Sequence, residues 1–517
     1  MESLRSERGI LDHGEAKLSD PFLFQEMQVA VERIDKAMKN GETVGIFGDY
    51  DADGITGTAQ LVRFFRRHGS EPVVHLPDRA KEGYGMKSVS IDALKAKGVS
   101  LIITVDTGIS AHTEIAHAKK LGIDTIVTDH HRLQGGRPDA FAVIHPEVPV
   151  SFPNPHLSGS GVAFMLVRAL ENLQPWDGID VDIALAAIGT VGDLVPLTGE
   201  NRLLVIHGLK FLDKLPPSPL KDFVDSVRGS GPLTASDIAY RIVPRINAAG
   251  RMAHPLVALE ALLEGGEALE ELHRLNGDRR SFVEELQEHI IPGITADDAF
   301  IVIASDRITP GTAGLVAGRL SEKFGRPSIA AAIMGDIAVA SVRSIPEIDL
   351  MECLEHPSVR MFLKTFGGHA QAAGCTFAAR DTDALRLALN AVLTGRGISS
   401  ATLFPTLEID GELHHRHVGM PLARSLMSLA PFGSGNEEPT FLFSRQTLTD
   451  LRTVGSENSH LQAKVNGVSA VGFRLGPCIT QLNSDTSVDL ACRIGINNWN
   501  GRESVQLVIE DIRACGQ

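Results

Sequence analysis

The stretch Gly48-Asp49-Tyr50-Asp51-Ala52-Asp53-Gly54 sets three carboxylates at two-residue spacing directly after the apolar run Val44-Gly45-Ile46-Phe47. Like charge at that density is unfavourable on one short turn unless a cation lies among the oxygens. The stretch also opens like an EF-hand loop, Asp-x-Asp-x-Asp-Gly. That loop requires a bidentate Glu at its twelfth position and a helix in front. This chain has Gln60 at the twelfth position, a short buried strand in front, and a helical pattern from Ile55 to His68 behind. Strand, acidic turn and helix make the edge of an α/β active site. Calcium sensing is excluded.

From about Glu42 to Pro146, short apolar runs alternate with amphipathic stretches. Val73 to Leu76, Leu101 to Val105, Thr125 to Val127 and Phe141 to Ile144 read as buried strands, with helical segments such as Ile91 to Lys97 and Ala111 to Lys120 between them. This alternation predicts a mostly parallel, doubly wound sheet, whose sites form beyond the carboxyl ends of the strands. Asp49, Asp51 and Asp53 follow one strand, Asp106 another, and Asp129-His130-His131 a third. All therefore fall on one edge.

Gly161 to Leu212 reads as helical, interrupted by Gly189-Thr190-Val191-Gly192-Asp193-Leu194. Leu256 to His289 reads as a long charged connector helix or helix pair, and a second α/β unit runs from near Ala299 to about Leu393. The tail from Thr402 alternates apolar and polar residues, with turns at Asn466-Gly467 and Asn500-Gly501. It suits a small β-barrel of the OB type. The expected division is an N-terminal segment 1–40, a catalytic domain 41–255, a connector 256–295, a second α/β domain 296–400 and a barrel 401–517.

A chain of 517 residues supports about three cores. No apolar run approaches the ~20 residues of a membrane span, and Met1-Glu2-Ser3-Leu4-Arg5 lacks the order of a signal peptide. The five scattered cysteines form no Cys-x-x-Cys pair, which suits reduced thiols in a cytoplasm and disfavours structural zinc. The net charge of −15 counts mildly against a nucleic-acid partner, although a local groove can be basic on an acidic protein.

Asp51, Asp53, Asp106, His130 and Asp193 offer four carboxylates and an imidazole. Such a donor set favours Mn²⁺ or Mg²⁺ over thiolate-bound zinc. Two such ions about 3.5–4 Å apart clamp the attacking and leaving oxygens of an in-line displacement at phosphorus. His131 is a hydrogen-bond donor to a phosphoryl oxygen or leaving group rather than a required ligand. Taken singly, Asp106 reads as a helix cap, His130 and His131 as surface residues and Asp193 as a turn residue. Their joint placement at strand ends defeats those readings. Asp49 and Asp129 read as supporting or capping residues.

The motifs Gly48 to Gly54, Val105-Asp106-Thr107-Gly108, Thr128-Asp129-His130-His131 and Gly192-Asp193-Leu194 are similar in order and spacing to those of the DHH phosphoesterase superfamily. Pro244 to Met252, Ser341-Val342-Arg343-Ser344 and Gly367 to Gly374 narrow the resemblance to the RecJ family of single-strand-specific exonucleases. Pro431 to Asn436 and Trp499 to Ser504 resemble that family's OB region. The resemblance runs from about residue 40 to the end.

It implies a 5′→3′ exonuclease that releases 5′-mononucleotides from single-stranded DNA with two Mn²⁺ or Mg²⁺ ions. Asp51 and Asp106 would hold one ion; Asp53, Asp106, His130 and Asp193 would hold the other. Arg79, Arg251, Ser341 and Arg343 would form a 5′-phosphate pocket, Tyr84 would stack on a base, and the glycine-flanked His369 turn would cradle phosphate. The implied partners are single-stranded DNA, a single-strand-binding protein and a helicase. The implied protein is a cytoplasmic monomer without a membrane segment.

The chain departs from the pattern twice. Many relatives carry a His four residues before the first metal Asp, where this chain has Phe47, so the first ion site is expected to be the weaker. Ile308-Thr309 stands where Trp-His is frequent. Rival readings are a DHH phosphodiesterase of short oligonucleotides or cyclic dinucleotides, which the barrel disfavours, and a non-catalytic replication scaffold of the Cdc45 type, which the full ligand set disfavours.

Overall fold

A computed structural model of the chain describes residues 17–78, 82–83, 85–133, 135–148, 152–171, 180–229, 231–290, 294, 297–403, 406–482, 487–499 and 502–515. Helix α1 (Met27–Asn40) leads into β1 (Thr43–Gly48), α2 (Ala52–Arg67), β2 (Val73–His75), α3 (Ser88–Ala96), β3 (Val99–Val105), α4 (His112–Lys120), β4 (Asp124–Thr128) and β5 (Ala142–Ile144). The five strands form an all-parallel sheet in the order β2-β1-β3-β4-β5. Its faces are both covered. Ile46, Ile103 and Ile126 pack against Ile34, Leu61, Phe65 and Phe164 on one side, and Phe47 and Ile102 meet Leu94 and Ala118 on the other. Burial on both faces explains why the strands read as continuous apolar runs rather than alternating ones.

One boundary differs from the sequence expectation. The helix after the acidic turn begins at Ala52, not Ile55, because the Asp51 carboxylate caps it, accepting from the backbone N–H groups of Asp53 (3.0 Å) and Gly54 (3.2 Å). Asp53 thus sits in the first helical turn, and only Asp49 and Asp51 lie on the turn itself.

Helices α5 (Gly159–Glu171), α6 (Asp180–Gly192), α7 (Gly199–Leu212) and α8 (Val243–Met252) belong to this unit, together with a short helix at Pro219–Val227. The interruption expected at Gly189 falls later: α6 continues to Gly192 and the chain turns at Leu194, whose φ of 62° is left-handed. The connector is a helix pair, α9 (Leu256–Leu263) and α10 (Gly266–Ile290), parted at Gly265 and Gly266, both with positive φ.

The second α/β unit holds β6 (Ile301–Ser305), α11 (Pro310–Phe324), β7 (Ser328–Met334), β8 (Ile337–Arg343), β9 (Leu363–Gly368) and β10 (Ala372–Ala378), in the order β6-β7-β8-β10-β9. Ile308 is buried at its core, and Thr309 caps α11 through a reciprocal bond with Thr312.

The tail is a closed barrel of β12 (Thr440–Val454), β13 (His460–Val465), β14 (Val468–Gly472), β15 (Ser487–Trp499) and β16 (Arg502–Ala514), with β12 pairing β15 to shut it; a short β11 (Gly411–Glu412) joins its edge. Asn466 and Gly467, both at positive φ, make the expected β13–β14 hairpin turn. The Asn500-Gly501 turn lies outside the described residues. The barrel docks beside the catalytic unit: Leu197 N–H donates to the Ser434 carbonyl at 2.7 Å, and the buried Arg202 guanidinium donates to the Ala430 carbonyl at 2.8 Å. Among the described residues, no helix is long and apolar enough to cross a membrane.

Candidate active site

The strand order reverses direction between β1 and β3, which places a ligand crevice at their carboxyl ends. The hydrogen-bond ladder continues one residue past each strand. Asp49 N–H donates to the Val105 carbonyl (3.1 Å), Asp106 N–H to that of Thr128 (3.0 Å) and Asp129 N–H to that of Ile144 (3.3 Å). Asp49, Asp106 and Asp129 therefore follow their strands side by side on one edge. Asp106 adopts φ 60°, a conformation Asp tolerates better than most residues.

The edge brings together the whole expected ligand set. His130 Nε2 lies 3.1 Å from Asp106 Oδ1, 3.5 Å from Asp193 Oδ2 and 3.8 Å from Asp53 Oδ2. Three overlapping groups, each with ligand atoms within 4.8 Å of one another, are Asp53–His130–Asp193, Asp106–His130–His131 and Asp49–Asp51–Asp106. Asp193 arrives from the end of α6. The start of α5 supports Asp53, whose oxygens accept from Gly159 N–H (2.6 Å) and Ser160 N–H (2.9 Å), a favourable use of a helix N-terminus. Gly159 also lets α5 approach closely, since a Cβ there would meet Asp106 Cβ at 2.5 Å.

The electrostatics divide two adjacent histidines into opposite roles. Burial, reinforced by the charge of His131, lowers His130 to about 4, so its imidazole is neutral and its lone pair available. Burial also opposes charge on His131, but the Asp129 carboxylate, 2.8 Å from Nδ1, outweighs it and raises His131 to about 9. Asp129 itself falls to about 2 despite burial, because it accepts from His131 and from Ile109 N–H. Burial and mutual repulsion raise Asp53 to about 7 and Asp193 to about 9, and hold Asp49 and Asp106 well above the usual carboxylate range.

Divalent ions fit this donor set. Asp49 Oδ1, Asp106 Oδ1 and His130 Nε2 are all buried and make no well-aligned hydrogen bond, although the last two lie 3.1 Å apart. Buried polar atoms left in that state are costly, and three of them converging among carboxylates are what cation ligands look like before the cation is added.

The residues expected to form a phosphate pocket divide. Arg251, at the end of α8, reaches the glycine face of α11: a Cβ at Gly311 would meet the Arg251 carbonyl at 2.5 Å, and one at Gly314 would meet Arg343 Nη2 at 3.4 Å and Ser341 Oγ at 3.6 Å. Arg251, Ser341 and Arg343 thus surround one helix end. His369 lies at the β9–β10 turn, and that turn is tied to the end of β8 by the Ser344 N–H bond to the Gln371 carbonyl (3.0 Å). Arg79 and Tyr84 lie outside the described residues. Phe47 offers no ligand atom; its ring is fully buried and stacks on His75 with centroids 4.9 Å apart.

Sequence reasoning missed Asn247. Its side-chain oxygen accepts from Ala52 N–H at 2.7 Å, and one residue before Arg251 the backbone of Gly250 packs on Tyr50. Helix α8 therefore clamps the acidic turn with Asn247 and carries Arg251, one of the residues expected to bind phosphate, at its end. The only signal was Asn247's place inside the Pro244 to Met252 motif.

A parallel sheet with an acid–histidine cluster at its switch point, a second α/β unit facing it and a closed barrel define a multidomain phosphoesterase of the DHH type. Residues 43–190 match the DHH family N-terminal domain, 297–395 the DHHA1 domain and 409–511 the RecJ OB domain. The chain is 35% identical to the single-stranded-DNA-specific exonuclease RecJ of Bacillus subtilis over 99% of its own length and 66% of that protein's, so it spans about two thirds of that relative. It is 33% identical to the protein of the same description from Dickeya dadantii, over 98% of this chain and 92% of the relative. The crystal structure of RecJ in complex with Mn²⁺ from Thermus thermophilus superposes with a TM-score of 0.83 at 30% identity, covering 99% of this chain and 75% of that one. The chain belongs to the RecJ family.

Proposed function

We propose that this chain hydrolyses single-stranded DNA from the 5′ end, releasing 5′-mononucleotides, with two divalent ions. The observation that carries the reading is the set of buried ligand atoms left without a hydrogen bond, Asp49 Oδ1, Asp106 Oδ1 and His130 Nε2, converging at the sheet's switch point. Thermus RecJ structures described as complexes with Mn²⁺ and with Mg²⁺ support the choice of ion.

Asp53, Asp106, His130 and Asp193 would hold one ion, and Asp51 with Asp106 the other, with Asp49 within reach. The second set is smaller and lacks an imidazole, so it is the weaker. When bound, such ions lower the pKa of water and neutralise charge developing on phosphoryl oxygens.

The chain's own residues do the rest. Asp129 fixes the His131 ring and keeps it protonated, so His131 donates to a phosphoryl oxygen or to the departing oxygen. Arg251, Ser341 and Arg343, together with Arg79, hold the terminal 5′-phosphate, and His369 borders them. An anchor at a fixed distance from the cleavage centre sets the size of the product at one nucleotide. Tyr84 stacks on the base. The proposed domain limits are 41–255 for catalysis, 256–295 for the connector, 296–400 for the second unit and 401–517 for the barrel. The proposed setting is a cytoplasmic monomer acting on strands opened by a helicase and coated by single-strand-binding protein.

Single strands labelled at either end test the polarity. With Mn²⁺, labelled mononucleotide is expected at once from the 5′-labelled strand and only at the end of digestion from the 3′-labelled one; the reverse order, or internal cuts, rejects the assignment. Asn247→Ala tests the clamp. Losing the bond to Ala52 N–H lets the acidic turn shift, and misplacement of about an ångström costs on the order of tenfold to a hundredfold in rate. The expected result is a fall in kcat with KM for DNA nearly unchanged; a change confined to KM would assign Asn247 to DNA contact instead.

A further inference from the structure

The barrel meets the catalytic unit at the loop that carries Asp193. Of the four side chains assigned above to one ion, Asp193 is the most exposed, at 25% against 1% for Asp53, 3% for Asp106 and 12% for His130. Asp106 and His130 follow strands tied into the sheet ladder, and the start of α5 fixes Asp53. Asp193 lacks such a frame. It leaves the end of α6, and Leu194 after it is left-handed (φ 62°) and 69% exposed. Among the described residues, the next hydrogen bonds that fasten this loop come at Pro196 and Leu197.

Those fastenings lead to the barrel. Asn201, buried in the first turn of α7, donates from Nδ2 to the Pro196 carbonyl at 3.0 Å, and Leu197 N–H donates to the Ser434 carbonyl at 2.7 Å. Beside Asn201, the Arg202 guanidinium donates to two successive barrel carbonyls, Ala430 at 2.8 Å and Pro431 at 3.3 Å. The barrel loop is itself tied down. Gly433 and Asn436 exchange backbone hydrogen bonds at 3.0 Å, the buried Asn436 side chain donates to the Leu429 and Pro431 carbonyls, and Leu429 lies in the barrel core. Its glycines let the two loops touch: a Cβ at Gly433 would meet Leu197 Cδ1 at 2.7 Å, and one at Gly435 would meet Pro196 Cβ at 3.0 Å.

Arg202 is a costly way to hold two carbonyls. It is a buried cation in the first turn of a helix, where the dipole disfavours positive charge. Among the described residues no carboxylate pairs with it, its Nε is buried without a hydrogen bond, and burial lowers it to about 10. Well-packed apolar side chains would join the two units at least as tightly. What a planar fork adds is register, because it fixes the direction in which two carbonyls of another domain approach.

We infer that the barrel loop 429–436 is a positioning element of the metal centre: through Arg202, Asn201 and Leu197 it holds the loop that carries Asp193, and the full catalytic rate requires the barrel to be seated. The inference rests on the nuclease reading and gives the barrel a task besides contact with DNA. Arg202 is a positioning residue, since it touches neither the ion ligands nor the strand.

The test uses the full chain. Arg202→Met removes the fork, Arg202→Lys keeps a donor at one point, and Gly433→Ala presses a methyl group on Leu197 from the barrel side without removing a charge. Phe443→Leu, in the barrel core, is the control for lost stability. On single strands with Mn²⁺, Arg202→Met and Gly433→Ala are expected to lower kcat about tenfold with KM for DNA nearly unchanged, and Arg202→Lys to recover part of the loss. A second measurement needs no hydrolysis: Mn²⁺ is titrated against melting temperature. The half-maximal rise is expected at about tenfold more Mn²⁺ in Arg202→Met than in the wild type, and at the wild-type concentration in Phe443→Leu. A loss confined to KM, a lowered melting temperature with kcat and Mn²⁺ response intact, or equal losses in Phe443→Leu overturns the positioning role. Gly433→Ala keeps the test valid if Arg202→Met fails to fold. A wild-type protein that cleaves no strand rejects the nuclease reading instead, while the Mn²⁺ response still decides whether the barrel loop positions Asp193.

Discussion

Asp106→Asn is expected to lower hydrolysis by at least about a thousandfold while leaving the fold intact. Asp106 contributes to two of the three ligand groups and carries a buried oxygen with no partner. Asparagine preserves its shape against Gly159 and tolerates its left-handed backbone, so the loss is one of charge rather than of packing. The metal-free variant should be at least as stable as the wild type, because one member of a repelling set that includes Asp49, Asp51, Asp53 and Asp193 is gone. Ions bound only by the folded state stabilise it by about 2.7 kcal/mol at a hundred times their Kd. Mn²⁺ should therefore raise the melting temperature of the wild type and barely move that of the variant. Hydrolysis near the wild-type rate, or an undiminished Mn²⁺ shift, would remove Asp106 from the centre.

Mn²⁺ affinity is expected to climb steeply with pH, about tenfold per pH unit for each proton displaced. In the metal-free protein Asp53 titrates at about 7 and Asp193 at about 9, so both hold protons that an ion must expel. His130, at about 4, contributes no such proton near neutrality. The fold itself responds with the opposite sign. Carboxylates raised from their usual 3.8 bind protons more tightly folded than unfolded, so the metal-free fold loses stability as pH rises from 3.8 through about 7 for Asp53 and about 9 for Asp193. His131, raised from 6.5 to about 9, adds a contribution that is complete below 6.5 and lost as pH passes about 9. Asp129, lowered to about 2, and His130, lowered from 6.5 to about 4, run the other way, the first only in acid below 3.8 and the second between about pH 4 and 6.5, where the two raised carboxylates outweigh it. Melting temperature in chelator should thus fall from about pH 5 to about pH 9, and saturating Mn²⁺ should flatten or invert the trend. Calorimetry in two buffers of different ionisation heat should count more than one proton released near neutrality. Affinity independent of pH would mean the carboxylates are already ionised.

Much of the site was legible because buried parallel strands appear as uninterrupted apolar runs, and an acid directly after such a run must lie at its carboxyl end. That logic placed Asp49, Asp106 and Asp129 on one edge, and their backbone N–H groups do extend the ladder side by side. It misjudged the helix start at Asp51, because capping depends on where a side-chain oxygen points. It could not reach Asn247, whose partner Ala52 is 195 residues away.

The sequence by itself determined the chemistry on offer: which strands end in carboxylates, that an imidazole joins them, and that no thiolate does. Only the tertiary structure decided the charge states. His130 and His131 are identical side chains on consecutive residues, yet burial leaves one neutral and the Asp129 carboxylate keeps the other charged. Residue type fixes what a group can bind, whereas its desolvation and its neighbours' charges fix which form it takes, and both depend on contacts made across the fold.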